Sequence, residues 1–330
     1  MATIPGSLFI ATAGALSVNV VETATGTGIG SDTVSGDFNL EVFTGSAGSA
    51  PLGPAAGYQG LAILTAGGSE LDLISGSFAA TDNGTGGDNL VADGTNATIE
   101  GGANSVNLVL NGSGNTAIGG GGSATIEVNG ASNTVNGGNG PDTITATGND
   151  DVINGGGGAD ILNATGTGDT ITAGSGGGTF NVVGNDASVT GGSSADTIGL
   201  FGSDGVVNGG AGGGAITATG SGDTVNGGAG NLNVTLGGSG DTVNAGSGNL
   251  TVDMGGGANL QFGDDSSAMY NDTITGFSQP SGDRIHLTGS DTVATTALVN
   301  SGQDTLITLS DNSTILLKGV TTTIDNSFFS

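Results

Sequence analysis

The sequence predicts an all-β protein built as a parallel β-solenoid, or β-roll, with two short strands per 18-residue coil and β-rich caps at both ends. Three observations lead there: a nine-residue hydrophobic phase that runs without insertion or deletion across 83–253, two turn chemistries that each recur every 18 residues, and glycine concentrated at those turns. The phase also sets the domain boundaries. Residues 1–82 are expected as a β-rich N-terminal cap or assembly module, 83–253 as the solenoid and 254–330 as a C-terminal β cap.

Cut into nines from Asn83, the stretch to Asp253 gives nineteen blocks, and the eighth residue of every block is apolar, from Leu90, Ile99 and Leu108 to Val234, Val243 and Val252. At a hydrophobic frequency of 35%, chance gives such a run on the order of once in 10⁸ to 10⁹ phases. The phase matters because 71 of the 330 residues are glycine, a level that ordinarily marks disorder. A chain that is 35% hydrophobic and only 10% charged does not have a disordered composition.

Blocks beginning at Gly101, Gly119, Gly137, Gly155, Gly191, Gly209 and Gly227 open with Gly-Gly, all multiples of 18 apart, while intervening blocks read Ala-Thr-Gly-Thr-Gly-Asp at 164–169 and Ala-Thr-Gly-Ser-Gly-Asp at 218–223. Glycine permits the positive-φ turn conformations, and the β-branched residues that follow suit strands stacked directly on one another. At about 4.8 Å per coil, the segment makes a rod about 45 Å long.

The two strands of a coil bury unequal amounts. On the Gly-Gly side, runs such as Val106, Leu108, Leu110 and Leu232, Val234, Leu236 alternate to give three inward side chains. The opposite strands keep one aliphatic between polar neighbours, as in Thr134-Val135-Asn136. So narrow a core stabilises each coil weakly, and a second device should hold the turns.

The sixth position of the repeat supplies a candidate: Asp88, Asp142, Asp151, Asp160, Asp169, Asp196, Asp223 and Asp241 occupy it, each ending a turn two residues before the apolar position. Segments 137–145 (Gly-Gly-Asn-Gly-Pro-Asp-Thr-Ile-Thr) and 155–163 (Gly-Gly-Gly-Gly-Ala-Asp-Ile-Leu-Asn) resemble the RTX nonapeptide, G-G-x-G-x-D-x-U-x. That resemblance implies a β-roll that binds calcium ions between successive turns on one side, through the aspartate carboxylates and turn carbonyls. Calcium is a hard cation that takes six to eight oxygens, which such turns can provide.

Carried over residue by residue, the resemblance implies ligand pairs Asp142 with Asp160, Asp151 with Asp169, and Asp223 with Asp241, whereas Asp88 and Asp196 lack a same-side partner. Asn115, Asn133, Gly178, Gly214, Leu232 and Leu250 stand at the sixth position elsewhere and supply no carboxylate. The array is thus a degenerate one, with about three to six calcium sites concentrated at 137–169. The alternative is that these aspartates only form turns.

Beyond the repeats, Asn271-Asp272-Thr273-Ile274 and Gly282-Asp283-Arg284-Ile285 resemble the segment that ends RTX arrays in proteins exported by type I secretion. Residues 304–310 and 313–317 read as a hairpin across Asp311-Asn312, and the tail ending in Phe328-Phe329-Ser330 is similar to the uncleaved secretion signals of that family. The resemblance implies passage through type I secretion machinery to the exterior or surface of a Gram-negative bacterium. Residues 1–21 carry no Lys or Arg ahead of their apolar stretch, which argues against a Sec leader, and no membrane-spanning segment is expected. Within 1–82, short strands are expected at 16–21, 38–43 and 61–65.

Composition narrows function by exclusion. Thirty acidic residues face two basic ones, Arg284 and Lys318, so a nucleic-acid partner is not expected. The absence of cysteine excludes thiol chemistry, and with a single histidine, His286, a histidine-built metalloenzyme is not expected. Neither H-E-x-x-H nor G-x-S-x-G occurs, and no enzymatic activity is expected.

The expected function is a secreted calcium-binding structural protein, a stiffened rod that self-assembles into a surface layer, filament or biofilm matrix. The alternative is an adhesin or ligand-binding solenoid for ice or polysaccharide. It would use the outward Thr98, Thr116, Thr134, Thr170, Thr224 and Thr242 beside Asn136, Asn154, Asn208, Asn226 and Asn244. Val152 and Val206 interrupt that threonine column, and Glu100 the asparagine column.

Overall fold

The computed structural model describes residues 87–255, 270–287, 291–322 and 324–330, with the side chain of Asp88 outside the described set. It also gives the backbone of the strands Asn19–Thr23, Asn39–Phe43, Gly60–Leu64, Glu70–Ile74, Ala79–Asp82 and Gln261–Asp264. Each nine-residue block forms one strand, and from Gly60 to Leu287 the chain passes alternately between two sheets of 15 strands each. Successive coils pair in parallel, Thr134 with Val152 in one sheet and Thr143 with Ile161 in the other, a register of 18 residues. This is the parallel β-solenoid that the phase implies.

The phase residues form its axis. All nineteen apolar positions from Leu90 to Val252 are at most 2% exposed. The sheets differ as the sequence suggests. One is made largely of three-residue strands such as Thr170–Thr172 and Thr224–Asn226, each burying one central side chain. The other has longer strands such as Val106–Asn111 and Leu232–Ser239, which bury three. On the outer face of the first sheet, Asn226 donates its amide to Asn208 and Asn244 to Asn226, both at 2.8 Å, so these side chains satisfy one another along the column.

Stacking this tight leaves no room for side chains at certain turn positions. Gly166 adopts φ 156°, and a Cβ there would lie 1.5 Å from the carbonyl oxygen of Gly148 in the coil before it. Glycine is thus demanded by the approach of one backbone to the next as much as by the turn itself.

The strands of 1–82 continue the same sheets. Leu61 pairs with Ala79 at the solenoid's spacing of 18, whereas Asn39 pairs with Gly60 at 21 and Ala79 with Thr98 at 19. The expected strands at 38–43 and 61–65 are present, and the one expected at 16–21 is described at Asn19–Thr23. At the other end, Asn271–Thr275 lies between Leu250–Asp253 and Thr314–Lys318. The expected hairpin is there as Asp304–Leu309 and Thr314–Lys318, with Asn312 at φ 74° in its turn.

A further antiparallel strand, Val293–Val299, forms the end of this sheet, and its five central residues are exposed. Phe277 stacks on Phe328 with ring centroids 5.8 Å apart, which fixes the tail to the terminal coil. The imidazole of His286 is exposed, its Nδ1 2.9 Å from the Ser330 carbonyl oxygen. Among the described residues no helix is long and apolar enough to cross a membrane.

Candidate metal centre

Side chains on a strand alternate, so the sixth repeat position faces the same way as the aliphatic two residues later. The consequence is burial. Asp142 and Asp160 are 2% exposed, Asp196 is 3%, and Asp151, Asp169, Asp223 and Asp241 are fully covered.

Each carboxylate uses one oxygen to bind the coil before it. Asp142 Oδ1 accepts from the backbone N–H of Ala124 at 2.6 Å, Asp160 Oδ1 from Asp142 at 2.9 Å, and Asp196 Oδ1 from Gly178 at 3.0 Å. In the second column Asp151 accepts from Asn133 at 2.8 Å, while Asp169, Asp223 and Asp241 accept from Asp151, Gly205 and Asp223 at 3.0 Å. Asn115 and Asn133 do the same with their amide oxygens, both at 2.9 Å. The residue is therefore a rung between coils, satisfying a backbone donor that the turn leaves behind.

The second oxygen separates aspartate from asparagine. In Asn133 the other amide atom donates to the Gly130 carbonyl at 2.7 Å, and in Asn115 to that of Gly94 at 3.1 Å. In Asp142, Asp151, Asp160, Asp169, Asp223 and Asp241 the corresponding Oδ2 is buried with no hydrogen-bond donor. An acceptor stands where the amides place a donor. Asp196 is different, because its Oδ2 accepts from Gly192 at 2.7 Å and both its oxygens are engaged.

The cost of that orphaned oxygen appears in the acidities. Burial pushes the carboxyls of Asp142, Asp169 and Asp223 up to about 6, against the lowering effect of their backbone bonds, with neighbouring carboxylates adding to the rise. Burial also raises Asp151, Asp160, Asp196 and Asp241 above the usual carboxylate range.

The Gly-Gly turn is shaped around the same oxygen. A Cβ on Gly137 would come within 2.5 Å of Asp142 Oδ2, and one on Gly155 within 2.7 Å of Asp160 Oδ2. The first glycine of the motif and its aspartate are thus one feature. A buried carboxylate oxygen over bare backbone fits a proton or a hard cation, and nothing softer. Among the described residues no three His, Cys, Asp or Glu side chains converge as a metal-binding group, so a cation here would depend on turn carbonyls for most of its shell.

The members of each expected pair stand in adjacent coils, the carboxylate of one accepting from the backbone N–H of the other. Asp88, also expected as a ligand, has its side chain outside the described residues. Two buried acids, Asp272 and Asp283, were missed from the candidate set. Asp272 is 1% exposed, its Oδ1 accepts from Leu250 at 2.7 Å, its Oδ2 lacks a donor, and burial pushes it up to about 7. It continues the Asp142 column, but 22 residues rather than 18 after Leu250, which removes it from a count by nines. No known protein family, curated protein or solved structure matches the chain.

Proposed function

We propose that this chain is a secreted, calcium-binding structural protein of the RTX type, a solenoid that calcium stiffens and that self-assembles outside the cell. The observation that carries this reading is the set of six buried Oδ2 atoms without donors, at three pairs of positions 18 residues apart. Asp142, Asp160, Asp151, Asp169, Asp223 and Asp241 would hold the ions with turn carbonyls, and bound calcium would supply the positive charge that these oxygens lack. The exposed terminal strand Val293–Val299, without a charged residue, supports assembly through a sheet edge.

Export follows from linkage. At low calcium the formal charge of −28 opposes compaction, and an ion that binds only the folded chain stabilises that state alone. The test is circular dichroism during a calcium titration of the chelated protein, with electron microscopy at both ends of the titration. Cooperative growth of β structure and ordered assemblies in calcium are expected. Equal β content in chelator, or only monomers in millimolar calcium, would contradict the respective half of the reading.

A further inference from the structure

The turn opposite Gly-Gly carries carboxylates that the nonapeptide pattern does not use. Asp150 and Asp204 occupy the same place in their coils, three coils apart, each exposed and each at φ 60°. In the following coil that place is a glycine. A Cβ on Gly168 would lie 2.6 Å from Asp150 Oδ1, and one on Gly222 would lie 2.5 Å from Asp204 Oδ1. Each carboxylate therefore leans over the bare backbone of the next coil, beside the residue that follows the glycine.

That residue is Asp169 in one case and Asp223 in the other, both fully buried. Their Oδ1 atoms accept from the N–H groups of Asp151 and Gly205, the residues that directly follow Asp150 and Asp204. Their Oδ2 atoms have no donor. The same juxtaposition thus occurs twice: a surface carboxylate, a glycine gap and a buried carboxylate with one unused oxygen. The acids feel each other, since Asp150 contributes to the raised pKa of Asp169, and Asp204 to that of Asp223, each after the larger effect of burial.

A neutral version of the arrangement shows what the charged one lacks. Asn96 leans over Gly114, its Oδ1 2.8 Å from where a Cβ would stand, and Asn115 follows. Asn115 accepts from Ala97 and donates to the Gly94 carbonyl, so both ends of its amide are satisfied without an ion. Exchanging both amides for carboxylates removes that donor and adds two charges at one turn. Asp186 supplies an internal control. It also has φ 59° and an exposed side chain, but Asp204 and Gly205 stand at the next places in the following coil, so no buried carboxylate lies beneath it.

We propose that Asp150 with Asp169, and Asp204 with Asp223, each hold one hard divalent cation of the calcium class, making Asp150 and Asp204 ligands of two lateral sites. This rests on the reading that the buried aspartates bind cations, and it adds the surface acids that complete two of those sites. The number of charged ligands tunes affinity at such sites.

The test is equilibrium dialysis of the full chain against calcium after chelation, with bound metal counted for the wild type, D150N/D204N, D142N/D160N and D186N. Asparagine tolerates the left-handed turn conformation, and circular dichroism in calcium checks that each variant folds. The expected result is two ions lost, or bound about tenfold or more weakly, in D150N/D204N, with D186N like the wild type. Wild-type binding by D150N/D204N overturns the lateral sites and leaves the calcium reading standing. Absence of binding by the wild type overturns both. Loss in D150N/D204N without loss in D142N/D160N supports the lateral sites while removing the Gly-Gly ones.

Discussion

The coils at 142–165 and those at 232–254 share one backbone and differ in what fills it. In the first, Asp142 and Asp160 stand at the head of each inward row, followed by Ile144, Ala146 and by Leu162, Ala164. In the second, the rows are Leu232, Val234, Leu236 and Leu250, Val252, Met254. The ladder is parallel and in 18-residue register in both, Thr143 with Ile161 and Asn233 with Thr251. Backbone stacking is thus indifferent to whether the head position is charged or apolar. The energetics are not: the rows headed by Leu232 and Leu250 are complete as folded, whereas those headed by Asp142 and Asp160 carry buried acceptors that call for a positive charge.

Removing calcium should separate the two regions most. Each occupied site is worth about 2.7 kcal/mol when the free ion is a hundredfold above its dissociation constant. Hydrogen exchange in chelator is expected to accelerate most in Thr143–Thr147 and Ile161–Thr165, whose rows Asp142 and Asp160 head, and less in Leu232–Ser239, which loses only the ion of Asp223 and Asp241 on the opposite turn. Uniform loss across both regions would mean that the comparison has no energetic content. The converse experiment is Leu250→Ala, which empties the head position of an aliphatic coil. A cost of about 2–5 kcal/mol is expected in denaturant unfolding, equal with and without calcium.

Glycine substitutions sharpen the contrast at one repeat position. Gly155 and Gly209 each open a Gly-Gly turn. A methyl on Gly155 would meet Asp160 Oδ2 and the carbonyl oxygen of Ala173, both at 2.7 Å. On Gly209 its nearest neighbour is a Leu232 methyl at 2.3 Å, with the Asn226 carbonyl oxygen farther off at 3.3 Å. A leucine terminus can rotate away, and a backbone carbonyl cannot. Gly155→Ala should therefore cost about 1–3 kcal/mol and weaken calcium binding, with Gly209→Ala well below it in the same melting assay. Equal costs would show that the glycine is required by the turn and not by the carboxylate it faces.

The solenoid was legible because one register repeats without interruption, and its aliphatic phase survives any degeneracy elsewhere. Where the register varies, legibility ends: Asn39 with Gly60 and Ala79 with Thr98 stack in the same sheets, yet their spacings hide them from a count by nines. Asp272 escaped for the same reason. Val293–Val299 escaped because Val-Ala-Thr-Thr-Ala-Leu-Val does not alternate, its outer edge being uncovered on both faces. The aspartate positions were visible, but their bonds were not. That Asp160 accepts from the N–H of Asp142 depends on the vertical stacking of two coils, and only the difference between Asn133 and Asp151 exposes the missing donor.

Asp272 offers a single buried group and a clean sign. Burial raises its carboxyl from 3.8 to about 7, with the Leu250 N–H opposing the rise. A folded-state value above the unfolded one means that protonation favours the fold. Its stabilising contribution is complete below 3.8 and is lost as pH climbs through about 7. In chelator, where the raised values of the repeat aspartates act in the same direction, stability should fall from pH 4 to pH 8, the reverse of ordinary acid denaturation. Asp272→Asn keeps the acceptor for Leu250 and replaces the orphaned oxygen with a donor. The variant should match the wild type near pH 4 and exceed it at pH 8 in urea unfolding, by up to about 4 kcal/mol if the whole shift is expressed in stability. A constant offset between the two proteins across that range would assign Asp272 to packing and leave its ionisation without effect on the fold.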